Sequence, residues 1–154
     1  MAYFILADNQ DLTRIGIRSL CEGVGDSNID VASSKKELLQ LLRMNENAII
    51  ILDYTLFDFV DVSELFILHQ RFPNAHWILI SDELSSSFSH RVAIESYAFS
   101  IVTKNSEQDD INKAIRLAMR RERYICQQVT DQILSFSYNK EVKILVVQNS
   151  TYPR

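Results

Sequence analysis

Five apolar residues in a row, Ala48-Ile49-Ile50-Ile51-Leu52, run directly into an acid, Asp53. An apolar run this short, with no polar alternation, reads as a strand buried on both faces. Strands of that kind belong to parallel sheets covered by helices on each side. The same pattern precedes Asp8, in Tyr3-Phe4-Ile5-Leu6-Ala7. Two buried strands therefore each deliver a carboxylate at the carboxyl end, which is where open α/β sheets place their ligands.

The remaining chain alternates in the same way. Between the first strand (residues 3–7) and a weaker one at Ile29–Ala32, the stretch from Asp11 to Leu20 predicts a helix. Its inward face would hold Leu12, Ile15, Gly16, Ser19 and Leu20, with Gly23, Gly25 and Asp26 as the stop. Ser34 is placed to cap a helix over Lys35–Met44 that turns Leu38, Leu41 and Leu42 inward. After the strand at 48–52, a helix is expected from about Val62 to Arg71, ended by Phe72-Pro73-Asn74. Strands follow at 77–80 and 99–103, with a helix of mixed polarity, 85–97, between them. Ser106 and Asp109 resemble a capping box opening a helix whose buried stripe is Ile111, Ile115, Ala118 and Met119. Beyond it, Val129, Ile133, Leu134 and Phe136 extend as a helix, and Val142 to Val147 has the composition of a strand.

Five βα units in series predict a doubly wound, five-stranded parallel sheet with helices on both faces. The flavodoxin-like order 2-1-3-4-5 fits that count and puts the switch point between strands one and three, which carry Asp8 and Asp53. In that order Ser81, after the fourth strand, and Lys104, after the fifth, fall on the same rim. A carboxylate pair can hold Mg²⁺, a carboxylate can attack phosphorus, and a cation with a hydroxyl donor can stabilise the transferring phosphoryl group.

Composition removes several function classes. The 154 residues carry 47% hydrophobic residues and a net charge of −4, which fits one globular domain and argues against a nucleic-acid surface. Cys21 and Cys126 have no CxxC spacing and read as buried or helix-surface thiols of a reducing cytosol. No basic leader and no apolar stretch of membrane-spanning length is visible, so a cytoplasmic setting is expected and no membrane partner. His69, His76 and His90 show no ligand spacing. Phe57 and Phe59 read as local packing or a partner surface, and Arg116, Arg120, Arg121 and Arg123 as a basic helix end complementing its dipole, with contacts to a second protomer or DNA as the alternative. Plainer roles stay open at the rim: Asp53 as a turn cap, Asp8 as a helix cap, Lys104 as a surface lysine. An Asp-nucleophile phosphohydrolase would want a second acid two residues after Asp8, where Gln10 stands. A nucleotide or flavin binder would want glycines in the first loop, and Asp8-Asn9-Gln10-Asp11 has none.

Ala7-Asp8-Asn9-Gln10, Leu52-Asp53, Ile80-Ser81 and Thr103-Lys104 resemble the receiver domain of two-component response regulators over residues 1–122. The opening Ala7 to Ile17 is most similar to the subfamily whose receivers precede a LuxR-type helix-turn-helix, and Arg121 to Val129 is similar to its interdomain linker. The resemblance implies that Asp53 is the phosphoacceptor, Ser81 the hydroxyl switch and Lys104 the phosphoryl-contacting lysine. It also implies a Mg²⁺ site of Asp8, Asn9, Asp53 and the Thr55 carbonyl. The implied partners are a sensor histidine kinase and a second copy of the chain, with no turnover of an external substrate. DNA would be reached only through an output domain, to which residues 123–154 would lead. Four positions depart from the pattern. Asn9 replaces the second acid, so Mg²⁺ should bind weakly; Leu56 to Val60 replaces a Pro-Gly loop. Ile101 stands where a switch aromatic is expected, and Asn105 follows the lysine. A phosphorylation-independent interaction domain on the same fold is the alternative these departures support.

Overall fold

The computed structural model describes residues 2–151, with side chains through Asn139. Five parallel strands, β1 (Ala2–Ala7), β2 (Ser27–Ala32), β3 (Ile49–Leu52), β4 (His76–Ser81) and β5 (Phe99–Thr103), form one sheet in the order β2-β1-β3-β4-β5. Between them run α1 (Asp11–Glu22), α2 (Lys35–Met44), α3 (Val62–Arg71) and α4 (Ser86–Glu95), and α5 (Gln108–Met119) follows β5. The architecture is the expected one. The three central strands and β5 carry the apolar runs, and every residue of β3, β4 and β5 is buried. The edge strand β2 alternates instead, with half-buried Ser27, Ile29 and Val31 separated by exposed residues. Each fully buried Leu or Ile of this core contributes about 1.5–3 kcal/mol relative to exposure.

Local signals hold where a polar side chain satisfies a helix end. The Ser34 hydroxyl accepts the Glu37 N–H, Ser85 accepts that of Phe88, and Asp61 accepts that of Ser63. They fail in three places. Helix α1 buries Ile17 and Cys21, while Leu12 and Ile15 stay exposed. This segment carries two apolar stripes, and a cysteine packs as a small hydrophobe. The expected Ser106 capping box is absent: α5 starts after Glu107 with no side-chain cap, and the Ser106 hydroxyl instead accepts the Thr103 N–H at 3.2 Å. Along α5 the buried residues are Ala114, Ile115 and Ala118, with Ile111 half-buried and Met119 exposed.

The third departure is the carboxyl-terminal segment. No strand forms at 142–147; one helix, α6, runs from Gln127 to Thr151. The chain reaches it by pairing alongside β5, where Ile101 donates to the Tyr124 carbonyl at 2.9 Å and Cys126 donates to the Ile101 carbonyl at 3.0 Å. Packing thus continues past residue 122, because an open edge strand leaves unpaired backbone groups that this short segment satisfies. Cys126 and Val129 are buried, and the Phe136 ring packs at a tilt against His90 with ring centroids 5.1 Å apart, seating α6 on α4. Among the described residues no helix is long and apolar enough to cross a membrane.

The basic helix end serves a role that charge alone does not suggest. Arg121, in the left-handed region at φ 62°, donates to the Asn47 and Asn74 carbonyls at 2.6 and 3.3 Å. Arg123 donates to the Ala93 carbonyl at 2.6 Å and lies over the Tyr97 ring. Both fasten the crossing toward α6 to neighbouring loops and to α4.

Beneath that crossing, His76 is buried and its Nε2 lies 3.3 Å from the Ser100 hydroxyl, which accepts the Tyr124 N–H. The Ser100 oxygen keeps a second lone pair and its own proton, so it can meet either tautomer of the ring, and burial is what favours the neutral imidazole. Burial, followed by the nearby charges of Arg121 and His69, pushes its pKa down from 6.5 to about 4. The unfolded chain therefore takes the proton first. The stability held by neutral His76 is complete above pH 6.5 and is lost as pH falls toward 4, about 3 kcal/mol in all at 1.36 kcal/mol per pH unit. Half-buried His69, also shifted down, adds in the same direction. Urea unfolding from pH 7 to 4 should show this loss in the native chain and a clearly shallower slope in His76→Gln. Equal slopes would mean that other groups govern the acid limb.

Candidate functional site

Strand register brings the four rim residues together. In adjacent strands Ala7 pairs with Leu52, Leu52 with Leu79, and Ser81 with Thr103. The residues that follow these pairs, Asp8, Asp53 and Lys104, therefore leave the sheet side by side with Ser81. The Asp53 N–H donates to the Ala7 carbonyl at 3.1 Å, and the Lys104 N–H to the Ser81 carbonyl at 2.9 Å, extending the ladder by one bond at each place.

Asp53 is fully buried and Asp8 nearly so. Asp53 Oδ1 accepts hydrogen bonds from the Ser81 hydroxyl at 2.8 Å and the Thr55 hydroxyl at 3.0 Å. The Lys104 ammonium lies 2.5 Å from Asp53 Oδ2 and 3.6 Å from Asp8 Oδ2, with only a tenth of its side chain exposed. Both Oδ2 atoms are buried without a hydrogen bond of good geometry, so they meet the lysine as an ion pair only. Two carboxylates and one ammonium leave an excess of one negative charge. Such an imbalance is costly in a low-dielectric rim, and it favours binding of a further cation.

Of the expected metal donors, Asp8 and Asp53 face each other across Lys104. Asn9 is exposed and its amide Nδ2 donates to the Leu56 carbonyl at 3.1 Å, which leaves Oδ1 as its one remaining donor atom. Thr55 follows in the 3₁₀ turn Tyr54–Leu56, its hydroxyl already committed to Asp53. Among the described residues there is no group of three His, Cys, Asp or Glu placed around one point. The Oδ2 atoms of Asp8 and Asp53, which meet only the Lys104 ammonium, are hard oxygen donors of the kind Mg²⁺ takes while keeping several waters. The residues thus fit a divalent ion held by two carboxylates rather than three.

Two contributors escape a reading by strand ends. One is the Thr55 hydroxyl, for which only a carbonyl role was expected. The other is Gln10, whose N–H donates to Asp8 Oδ1 at 2.7 Å and whose Oε1 accepts from the Lys104 ammonium. The sequence holds one sign of it: glutamine stands directly before a helix, where Ser, Thr, Asp or Asn is the usual cap. Gln10 also removes the acid a phosphohydrolase would need. The aromatic side chains after Asp53 do pack locally, since Tyr54 lies 4.6 Å from the Phe88 ring of α4 and 5.9 Å from that of Phe59.

No protein-family model matches the chain, and no curated protein matches it in sequence. Solved structures do. A LuxR-family two-component response regulator from Aurantimonas sp. superposes with a TM-score of 0.77 at 20% identity, covering 90% of this chain and 99% of that one. The isolated REC domain of RcsB from Salmonella enterica serovar Typhimurium, determined with the phosphomimetic BeF3−, gives 0.71 at 17% identity, covering 86% and 98%. The RcsB response regulator of Salmonella typhimurium gives 0.79 at 17% identity, covering 99% of this chain and 79% of that one. At these identities the likeness shows the fold, which is that of response-regulator receiver domains.

Proposed function

We propose that this chain is the phosphoacceptor receiver of a two-component response regulator, acting in transcription control through phosphorylation of Asp53. The observation that carries the reading is the convergence of four strand ends on one buried carboxylate, with Ser81 at 2.8 Å and Lys104 at 2.5 Å. Asp53 Oδ2, free of hydroxyl donors, attacks the phosphorus of a phosphohistidine or of a small acyl phosphate. The new P–O bond forms as the bond to the leaving imidazole or carboxylate breaks, and the leaving imidazole takes its proton from solvent. Ser81 and Lys104 then face the phosphoryl oxygens as donor and cation. Mg²⁺ held by Asp8, Asp53 and the Thr55 carbonyl would supply further charge neutralisation to those oxygens. The partner is a sensor histidine kinase, the setting cytoplasmic, and no external substrate is turned over.

Intact mass after exposure to a small acyl-phosphate donor with Mg²⁺ tests this directly. One phosphoryl group should add to the native chain and none to Asp53→Asn. An unmodified native chain at saturating donor would instead favour the phosphorylation-independent reading, which rests on Asn9 and on buried Ile101 in place of a mobile aromatic.

Residues 1–122 form the receiver under this proposal, and 123–154 lead toward a DNA-binding output domain. Helix α6 already covers part of the α4 and β5 surface through which a signal would leave. With Ile101 pinned by the Tyr124–Cys126 segment, phosphorylation should shift self-association little. Sedimentation at tens of micromolar should show a dimer both with and without phosphodonor. A monomer in both states would refute constitutive pairing, and a dimer only with donor would show a working switch.

A further inference from the structure

The residue before α1 makes an unusual choice. A helix begins with orphan N–H groups that a short polar side chain normally satisfies. Gln10 occupies that position and makes no cap hydrogen bond with its side chain. Its Oε1 instead accepts from the Lys104 ammonium, 94 residues away, and from the Thr13 hydroxyl at 3.2 Å. Its own N–H holds Asp8 Oδ1 at 2.7 Å, and its carbonyl accepts the Arg14 N–H at 2.9 Å as the first bond of the helix. One residue thus fixes both groups that flank Asp53. Lys104 needs that hold. Its ammonium has three donors, and the two carboxylate oxygens that it meets, at 2.5 and 3.6 Å, leave one of them for a further acceptor. Without a third acceptor a lysine on a flexible stem samples many rotamers, and the entropy of ordering it opposes the ion pair.

We infer that Gln10 is the positioning residue for Lys104, holding the ammonium over Asp53 and Asp8 at the expense of the helix cap. This rests on the phosphoacceptor reading for its consequence but not for its geometry. The two roles pull in opposite directions on substitution. Gln10→Ser supplies a good cap and cannot reach Lys104. If Gln10 served only the helix, Gln10→Ser would leave the lysine unaffected. If Gln10 positions Lys104, the same variant loosens the ordering of the ammonium, which stays close enough to both carboxylates to balance their charge, and the new cap offsets the lost hydrogen bond in melting temperature.

The experiment compares the native chain, Gln10→Ser and Gln10→Asn, the last keeping an amide one methylene shorter. The lysine side-chain ¹⁵Nζ signal of Lys104, assigned by its loss in Lys104→Arg, reports ordering with no phosphorylation required. Adduct formation from a small acyl-phosphate donor reports the consequence. Expected are a sharp, exchange-protected signal in the native chain and its loss in Gln10→Ser at undiminished melting temperature. Adduct formation should slow about tenfold, the rate equivalent of one charge-assisted hydrogen bond, with Gln10→Asn between the two. A native chain without a protected Lys104 signal, or a Gln10→Ser variant that retains it, overturns the inference. If the signal responds as stated but the native chain takes no phosphoryl group, the positioning role stands and the phosphoacceptor reading falls.

Discussion

Lys104→Met is expected to cost about 3–5 kcal/mol of unfolding free energy at pH 7, the loss that follows when one partner is removed from a buried charge pair. The lysine is the ammonium placed between Asp53 and Asp8, and neither Oδ2 has a hydrogen bond to fall back on. Without it, two buried carboxylates face each other uncompensated. The methionine fills the volume, so a cavity does not explain the effect. Combining it with Asp8→Asn separates charge from packing. The second change removes one of the two repelling carboxylates, and its amide oxygen can still accept the Gln10 N–H. The double variant should therefore recover more than half of the loss, while Asp8→Asn alone should be neutral or slightly stabilising. Urea unfolding of the four chains measures the coupling directly. A loss under about 1 kcal/mol in Lys104→Met, the range of exposed pairs, would mean that the ion pair is screened by solvent and that the lysine is not held in the site.

Asn9→Asp should tighten Mg²⁺ binding about tenfold. A full negative charge a few ångströms from a divalent ion is worth several kcal/mol at an effective dielectric near 20, and the exposure of this position screens most of that away. The substitution also has a cost that can be seen without metal. Asn9 Nδ2 is the donor to the Leu56 carbonyl, and an aspartate has no proton to give. Metal-free Asn9→Asp should melt lower than the native chain, by the equivalent of about 1 kcal/mol for the lost hydrogen bond plus the added repulsion from Asp8 and Asp53. Millimolar Mg²⁺ should then raise its melting temperature more than that of the native chain, because ligand binding to the folded state stabilises in proportion to affinity. Calorimetric titration gives the affinities. Equal or weaker binding in Asn9→Asp would place residue 9 away from the ion and leave Asp8 and Asp53 as its only carboxylates.

Sheet and rim were legible for a shared reason. Burial on both faces removes the need for polar residues, so Ala48–Leu52 and Phe4–Ala7 announce themselves as unbroken runs, and Asp53 and Asp8 mark where each run ends. Once the strand order is fixed, residues that follow successive strands must be neighbours, and Ser81 and Lys104 come with them. Helix faces were less legible. Leu12 and Ile15 form as good an apolar stripe as Ile17 and Cys21, yet packing against the sheet buries the second pair and leaves the first exposed. The composition of Val142 to Val147 suits a strand, but it continues the helix begun at Gln127, since β propensity is a weak preference that neighbouring structure overrides.

By itself, then, the sequence determined that five buried parallel strands would form and which side chains would stand at their ends, because apolar patterning acts over a few residues and needs no knowledge of the partner. Tertiary structure alone decided how those side chains are held. The Lys104 ion pair with Asp53, the Gln10 hold on Lys104, the Asn9 strut to Leu56 and the docking of α6 on α4 each join residues far apart in the chain. Contacts of that kind depend on ångström-scale placement across the fold, and no local pattern of residues encodes it.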